Sequence, residues 1–221
     1  MTDPLPFVAI YADESCLGNG REGNNPGGAA GVIEYQPGNG GRLLRFDYWI
    51  SEPATTNNKM ALRSAIEALR IVAHKGQRFR VRFTSDSQYL VTGMNEWVYG
   101  WIGRGWRRKS GELENLDLWR QAVALREPHE IEWQWVRGHA GHPQNEYANH
   151  LATRAARDQT SSDGAVPSGF DEWLAHGRET GRLAAEPAAF PDGRLFRPSR
   201  PLPAQSLHPD RPLGPNKGRR T

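Results

Sequence analysis

The stretch "FVAIYADESC", Phe7–Cys16, constrains the fold more than any other. It is apolar on both faces, so as a strand it must be covered from both sides, like the central strand of a layered sheet. It also ends at Asp13, and a buried strand avoids a carboxylate unless that group meets a metal or a cation. The elements around it must therefore supply two covering layers and a polar site at the strand end.

The rest of the chain provides both. A Gly/Asn-rich loop leads to "GAAGVIEYQ" and "RLLRFDYWIS", joined by a "PGNGG" turn, which predicts three antiparallel strands. "TTNNKMALRSAIEALR" follows, Thr55–Arg70, opening with capping residues and then placing Leu62, Ala65, Ile66, Leu69 and Val72 on one helical stripe. "RFRVRFTSDS" alternates as a strand, "QYLVTGMNEWVYGWI" and "LDLWRQAVALRE" read as helices, "EIEWQWV" as a strand and "NEYANHLATRAAR" as a helix. The order β-β-β-α-β-α-α-β-α predicts an α/β domain: a five-stranded mixed sheet, three antiparallel strands then two parallel, with helices on both faces.

Composition changes after Arg157. Residues 1–157 form the domain, and 158–187 read as a linker with one short helix carrying Phe170, Trp173 and Leu174. Residues 188–221 form a Pro/Arg-rich arm, expected to be disordered because it is too poor in apolar residues to offset its ordering entropy. The net charge of +3 is concentrated in that arm, which holds seven Arg/Lys and two Asp; the first 187 residues carry 21 basic and 23 acidic residues. A basic tether for nucleic acid, a Pro-rich partner motif and a tail without function all remain open for it. Cys16 is the single cysteine, and no apolar run approaches the roughly 20 residues of a membrane span. A cytoplasmic, monomeric protein with no membrane role is expected.

Within the body, positive charge is local. "GRGWRRKSG" sets Arg104, Arg107, Arg108 and Lys109 beside Trp101 and Trp106. Basic residues interleaved with indoles suit a nucleic-acid backbone. A solvated helix face with the tryptophans turned inward explains the same run. Asp86 ends a second strand, and ligands gather at strand ends in α/β sheets. Asp13 and Asp86 together suggest an oxygen-rich Mg²⁺ site, and His139, in the loop "RGHAGHPQNE", is a candidate proton carrier. Asp86 as a helix cap and His139 as a surface residue are the plain alternatives.

In order, "YADESCLGN", "TTNNKM", "TSDSQYLVTGMNEWVYGWIGRGWRRK", "NLDLWRQ" and "IEWQWVRGHAGHPQNEYANHLA" resemble the motifs of type 1 ribonuclease H over about residues 7–157. The resemblance implies a ribonuclease H-like fold. It also implies Mg²⁺-dependent cleavage of the RNA strand of an RNA·DNA hybrid, with Mn²⁺ as substitute. The family's four carboxylates run Asp, Glu, Asp, Asp. Asp13 and Asp86 match the first and third, and His139 matches the catalytic histidine. Ala61 stands where the family has Glu, and Asn149 where it has the last Asp, leaving Asn149 as a weak amide ligand. By the same resemblance Cys16, Asn19, Asn57, Asn58 and Gln88 contact the minor groove and Thr56 a DNA phosphate. Trp97, Trp101, Arg104, Trp106, Arg107, Arg108 and Lys109 form a protrusion on the DNA strand.

The two losses imply weakened metal binding and strongly reduced or absent cleavage. Glu14 stands where the family usually has Gly, but neighbouring strand residues face opposite ways. Glu67 lies off the helix face of Ala61, and Glu146 is often acidic in the family anyway. The rival readings are a non-catalytic module for hybrid or other duplex nucleic acid, double-stranded RNA included; a scaffold acting through the Pro-rich tail; and an inactive variant of an ordinary enzyme.

Overall fold

The computed structural model describes residues 5–18, 25–38, 41–74, 76–108 and 111–203. Strand β1 (Phe7–Cys16) pairs antiparallel with β2 (Gly27–Tyr35), and β2 with β3 (Leu44–Glu52). On the other side of β1, β4 (Arg80–Ser85) and β5 (Glu130–Trp135) run parallel to it. These are the five strands expected. A sixth, β6 (Val166–Pro167), adds two residues antiparallel to β3, giving the order β5-β4-β1-β2-β3-β6.

Alternation along β1 separates two cores. Val8, Ile10 and Ala12 join a cluster with α1 (Asn57–Ala73), α3 (Val98–Gly103) and α4 (Leu116–Arg126). Ala9 and Tyr11 join the opposite cluster, with α5 (Pro143–Asp158) and α6 (Phe170–Glu179). Between β4 and α3, the short helix α2 (Gln88–Thr92) passes through a π-helical turn, Gly93–Trp97. Thr56 caps α1 by accepting from Lys59 N. Leu62 and Leu69 of the predicted stripe are fully buried, each worth about 2 kcal/mol. On the other face Gly28 lets α5 rest directly on β2, since a Cβ there would meet the Ala152 carbonyl. Helix α5 begins two residues before the predicted start, because Pro143 fits the first turn and His142 Nδ1 accepts from Asn145 N (3.4 Å).

The segment after Arg157 packs onto this body. Buried Asp47 accepts from Tyr147 Oη (2.6 Å) and Gly169 N (3.0 Å), which fixes the start of α6, and Phe170 and Leu174 enter the core. Residues 188–203 also lie against the domain, contrary to the disorder expected of them. Ala188 exchanges two hydrogen bonds with the Gln144 side chain (2.8 and 3.0 Å). Phe190 and Phe196 pack edge-on to Phe7 (5.6 and 5.3 Å). The Arg200 carbonyl accepts from Tyr99 Oη and Arg126 (2.6 and 2.8 Å). A few spaced aromatic anchors and backbone acceptors hold a segment whose average composition is too polar to suggest it. The remainder of the arm, 204–221, lies outside the described residues. Among the described residues no helix is long and apolar enough to cross a membrane.

Candidate active site

Parallel pairing of β1 and β4 brings their C-terminal ends side by side. Asp13 and Glu14 lie at the end of β1, and Asp86 directly follows β4. One carboxylate oxygen from each lies within 4.8 Å of the others. Glu14 is therefore part of the cluster, which corrects the expectation that its opposite facing excludes it. Alternation sends Asp13 toward α5 and Glu14 toward the α1 side. That is the face on which Ala61 is buried at 1% exposure. The longer Glu14 side chain reaches the strand-end site from there.

Each acid is held. Asp13 accepts from Glu14 N (2.7 Å) and Asn145 Nδ2 (3.2 Å). Glu14 lies beside the Ser87 hydroxyl, which favours its charged form against the burial. Asp86 has its carbonyl fixed by Trp135 Nε1 (2.9 Å), and its carboxylate lies against Gly138, where any Cβ would collide with it. The cluster is electrostatically crowded. Asp13 is pushed up to about 8, first by burial and then by Asp86. Glu14 is raised well above the usual carboxylate range by burial, then by Asp13 and Asp86. Burial raises Asp86 as well, with His139 opposing. Three converging oxygen donors that resist ionisation in one another's company fit a hard divalent cation, which would relieve that repulsion.

Around the cluster, His139 is exposed in a left-handed turn (φ 52°), with Nδ1 3.8 Å from Glu146. Asn149 lies one turn along α5 from Asn145, half-buried, in an open cleft of about 540 Å³ shared with His139 and Glu146. On the α1 side the Cys16 thiol donates to the Thr55 carbonyl (3.4 Å). Thr56, Asn58 and Gln88 are exposed. Asn57 Oδ1 is buried without a partner. Trp97 is 37% exposed and packs with Trp101 on Trp119, while Arg104, Arg107 and Arg108 face solvent. Trp106 differs from the expectation: it is 4% exposed beneath Arg120, so its ring braces the protrusion and has no free face to offer a strand. Asn19 and Lys109 lie outside the described residues.

Sequence reasoning missed the membership of Glu14 and the supporting roles of Asn145 and Trp135. One signal for Glu14 was present: a second acid stands directly after Asp13 at the end of the strand.

Antiparallel β1–β3 beside parallel β4 and β5, with carboxylates at the ends of β1 and β4, is the ribonuclease H-like architecture. The family model RNase H matches residues 6–157, and the chain belongs to the ribonuclease H family, in its type 1 branch. It is 40% identical to a ribonuclease H of Syntrophotalea carbinolica over 73% of this chain and 99% of that one. It is 39% identical to ribonuclease HI of Caulobacter vibrioides over 69% and 94%. Among solved structures it is similar to LC9-RNase H1, described as a type 1 RNase H with the type 2 active-site motif. That likeness has 60% identity and a TM-score of 0.83, covering 92% of this chain and 96% of the other.

Proposed function

We propose that this chain is a divalent-metal-dependent ribonuclease that cuts the RNA strand of RNA·DNA hybrids. Asp13, Glu14 and Asp86 hold the metal, and Asn149 offers a fourth, neutral oxygen. The observation that carries the reading is the convergence of the three carboxylates within 4.8 Å. A relative of 60% identity that is itself described as carrying an atypical motif for its type supports a relocated acid. On this reading Ala61 leaves no gap, and the strong loss of cleavage argued from position 61 alone does not follow.

When bound, Mg²⁺ or Mn²⁺ would polarise the scissile phosphate and acidify an attacking water. The chain's own residues do the positioning. Asn145 orients Asp13, Ser87 orients Glu14, and the Gly138 loop with Trp135 fixes Asp86. His139, exposed beside Glu146, carries a proton between the site and solvent. Cys16, Asn57, Asn58 and Gln88 face the minor groove, Thr56 a DNA phosphate, and Trp97, Trp101, Arg104, Arg107 and Arg108 the DNA strand. Three carboxylates against two divalent ions leave more positive charge uncompensated than four would, so half-saturation should need more Mg²⁺ than a four-acid site. The single cysteine, Cys16, suits action in a reducing cytoplasm.

The test is cleavage of an end-labelled RNA in a hybrid over Mg²⁺ and Mn²⁺ titrations, for the parent and Glu14→Gln. Cleavage by the parent and a loss of at least about 100-fold in the variant are expected. Equal rates would remove Glu14 from the ligand set. A parent that binds hybrid without cutting in either metal would make the chain a non-catalytic binding module. A parent that binds no nucleic acid would leave the scaffold reading.

A further inference from the structure

The cleft beyond Asn149 is built by more than the matched domain. Its near wall is α5, with Glu146, Asn149, Arg154 and Arg157. Its far wall comes from the segment after residue 157, through Trp173 of α6 and the turn carrying Arg182 and Leu183. That turn is tightly held: the Gly177 carbonyl accepts from both Arg182 N and Leu183 N (2.9 Å each). The Arg182 guanidinium lies over the Trp173 ring (5.6 Å), and Arg154 over Trp49 (5.3 Å). Among the described residues neither guanidinium has a carboxylate within ion-pair distance; Arg157 pairs with Asp158 (2.7 Å), and both are exposed. Three guanidiniums thus face one lining carboxylate, Glu146, in a cleft that opens onto the catalytic loop.

We infer that this cleft is a second nucleic-acid subsite, in which Arg182 and Arg157 hold a backbone phosphate of the RNA strand as it leaves the carboxylates. The inference rests on the proposed hybrid ribonuclease function. It follows from position and charge. The cleft flanks the acid cluster on the α5–α6 side of the sheet, whereas α1 and the basic protrusion lie on the other. With the DNA strand assigned to the protrusion, the strand passing over the acids is the RNA, and its polyanionic backbone meets the arginines next. Arg182, with free donors and the flat Trp173 ring behind it, is suited to phosphate oxygens, and Arg157, bonded to Asp158 through Nε and one Nη, adds its remaining donors from the exposed end of α5. Arg154, set on Trp49 and close to buried Asp47, forms the floor and is left intact in the test.

The test is binding of a fluorescein-labelled 18-base-pair RNA·DNA hybrid to the full chain in Ca²⁺, from 50 to 300 mM KCl. The proteins are the parent, Arg182→Gln, Arg157→Gln and the double variant. Each phosphate left unneutralised should flatten the slope of log K against log[salt] by about 0.7–0.9 and weaken binding about 5- to 10-fold near 0.1 M salt. A single methylphosphonate series along the RNA strand should reveal one neutralised position that weakens the parent but not the double variant. Variants that bind with the parent's affinity and slope overturn this subsite and leave the proposed function standing. A parent that binds no hybrid overturns both. Sensitivity confined to the DNA strand overturns the strand assignment and with it the inference.

Discussion

At the scale of single residues, the unusual pair is Glu14 and Ala61. In this chain the acid comes from a strand end and a methyl group stands on the facing helix, at the position where the resemblance implied a glutamate. If the two positions serve one ligand site, they should be interchangeable. Glu14→Gln should abolish cleavage, and adding Ala61→Glu to it should recover a substantial part. Ala61→Glu alone should yield little, because it forces a fourth acid into a buried spot already crowded by three. Hybrid cleavage rates for the parent, two single variants and the double variant give the coupling directly. Additive losses would mean that the positions do not share a ligand site. Asn149→Asp belongs to the same scale. It places a charge where an amide stands, so the Mg²⁺ concentration for half-maximal rate should fall, by roughly 10-fold for about 1.4 kcal/mol of added attraction. An unchanged Mg²⁺ dependence would show that Asn149 stands outside the metal's reach. Asp13 and Asp86 were legible as single positions because strand-end acids are local signals. Glu14 was not, since side-chain alternation describes the middle of a strand, and at its end a long side chain can turn over the edge.

At the scale of elements, helix α5 carries Asn145, Glu146 and Asn149 and depends on its first turn. The sequence pattern marked the helix but started it at Asn145, because a histidine cap is not a common signal. His142 closes the start through Nδ1 and packs on Tyr11 (5.3 Å). Burial lowers its pKa below the ordinary 6.5. A histidine that is harder to protonate folded than unfolded contributes stability that is full above about pH 6.5. That stability is lost as pH falls from there toward the folded value. His129 and His150 are lowered as well, His129 by burial and then Arg78, His150 by burial and then the α5 and Arg182 guanidiniums. The histidines' contribution to the melting temperature should therefore decline between pH 7 and pH 5, while the raised carboxyls of Asp13 and Glu14 contribute in the opposite direction, so the effect is read as the difference between the parent and a His142 variant. His142→Asn keeps a capping acceptor without a titrating ring, so its decline should be shallower. Equal pH profiles for parent and variant would mean that His142 does not contribute to the acid loss.

At the scale of the whole molecule, the domain was readable through β1 and the order of elements, but the arm was not. Composition describes averages, whereas residues 188–203 are held by particular anchors: Phe190 and Phe196 on Phe7, and Arg200 on Tyr99 (3.7 Å) and Arg126. Two truncations separate this packing from the tether reading, one of the three left open for the basic arm. Ending the chain at residue 203 removes Arg211, Lys217, Arg219 and Arg220 but none of these anchors. Its melting temperature should stay within about 1 °C of the parent's, since every anchor named above is kept. If the tail is a tether, the salt slope of hybrid binding should flatten by up to about 0.9 for each phosphate no longer neutralised. Ending the chain at residue 187 also uncovers Phe7 and strips partners from Gln144 and Tyr99. Two aromatic pairs and several hydrogen bonds are together worth about 3–5 kcal/mol. At about 2–4 °C per kcal/mol, the melting temperature should fall by roughly 6–20 °C. A melting temperature unaffected by the longer deletion would show that the arm rests on the domain without stabilising it. A salt slope unchanged by the shorter one would remove the tether, and the positive charge of residues 204–221 would need another partner.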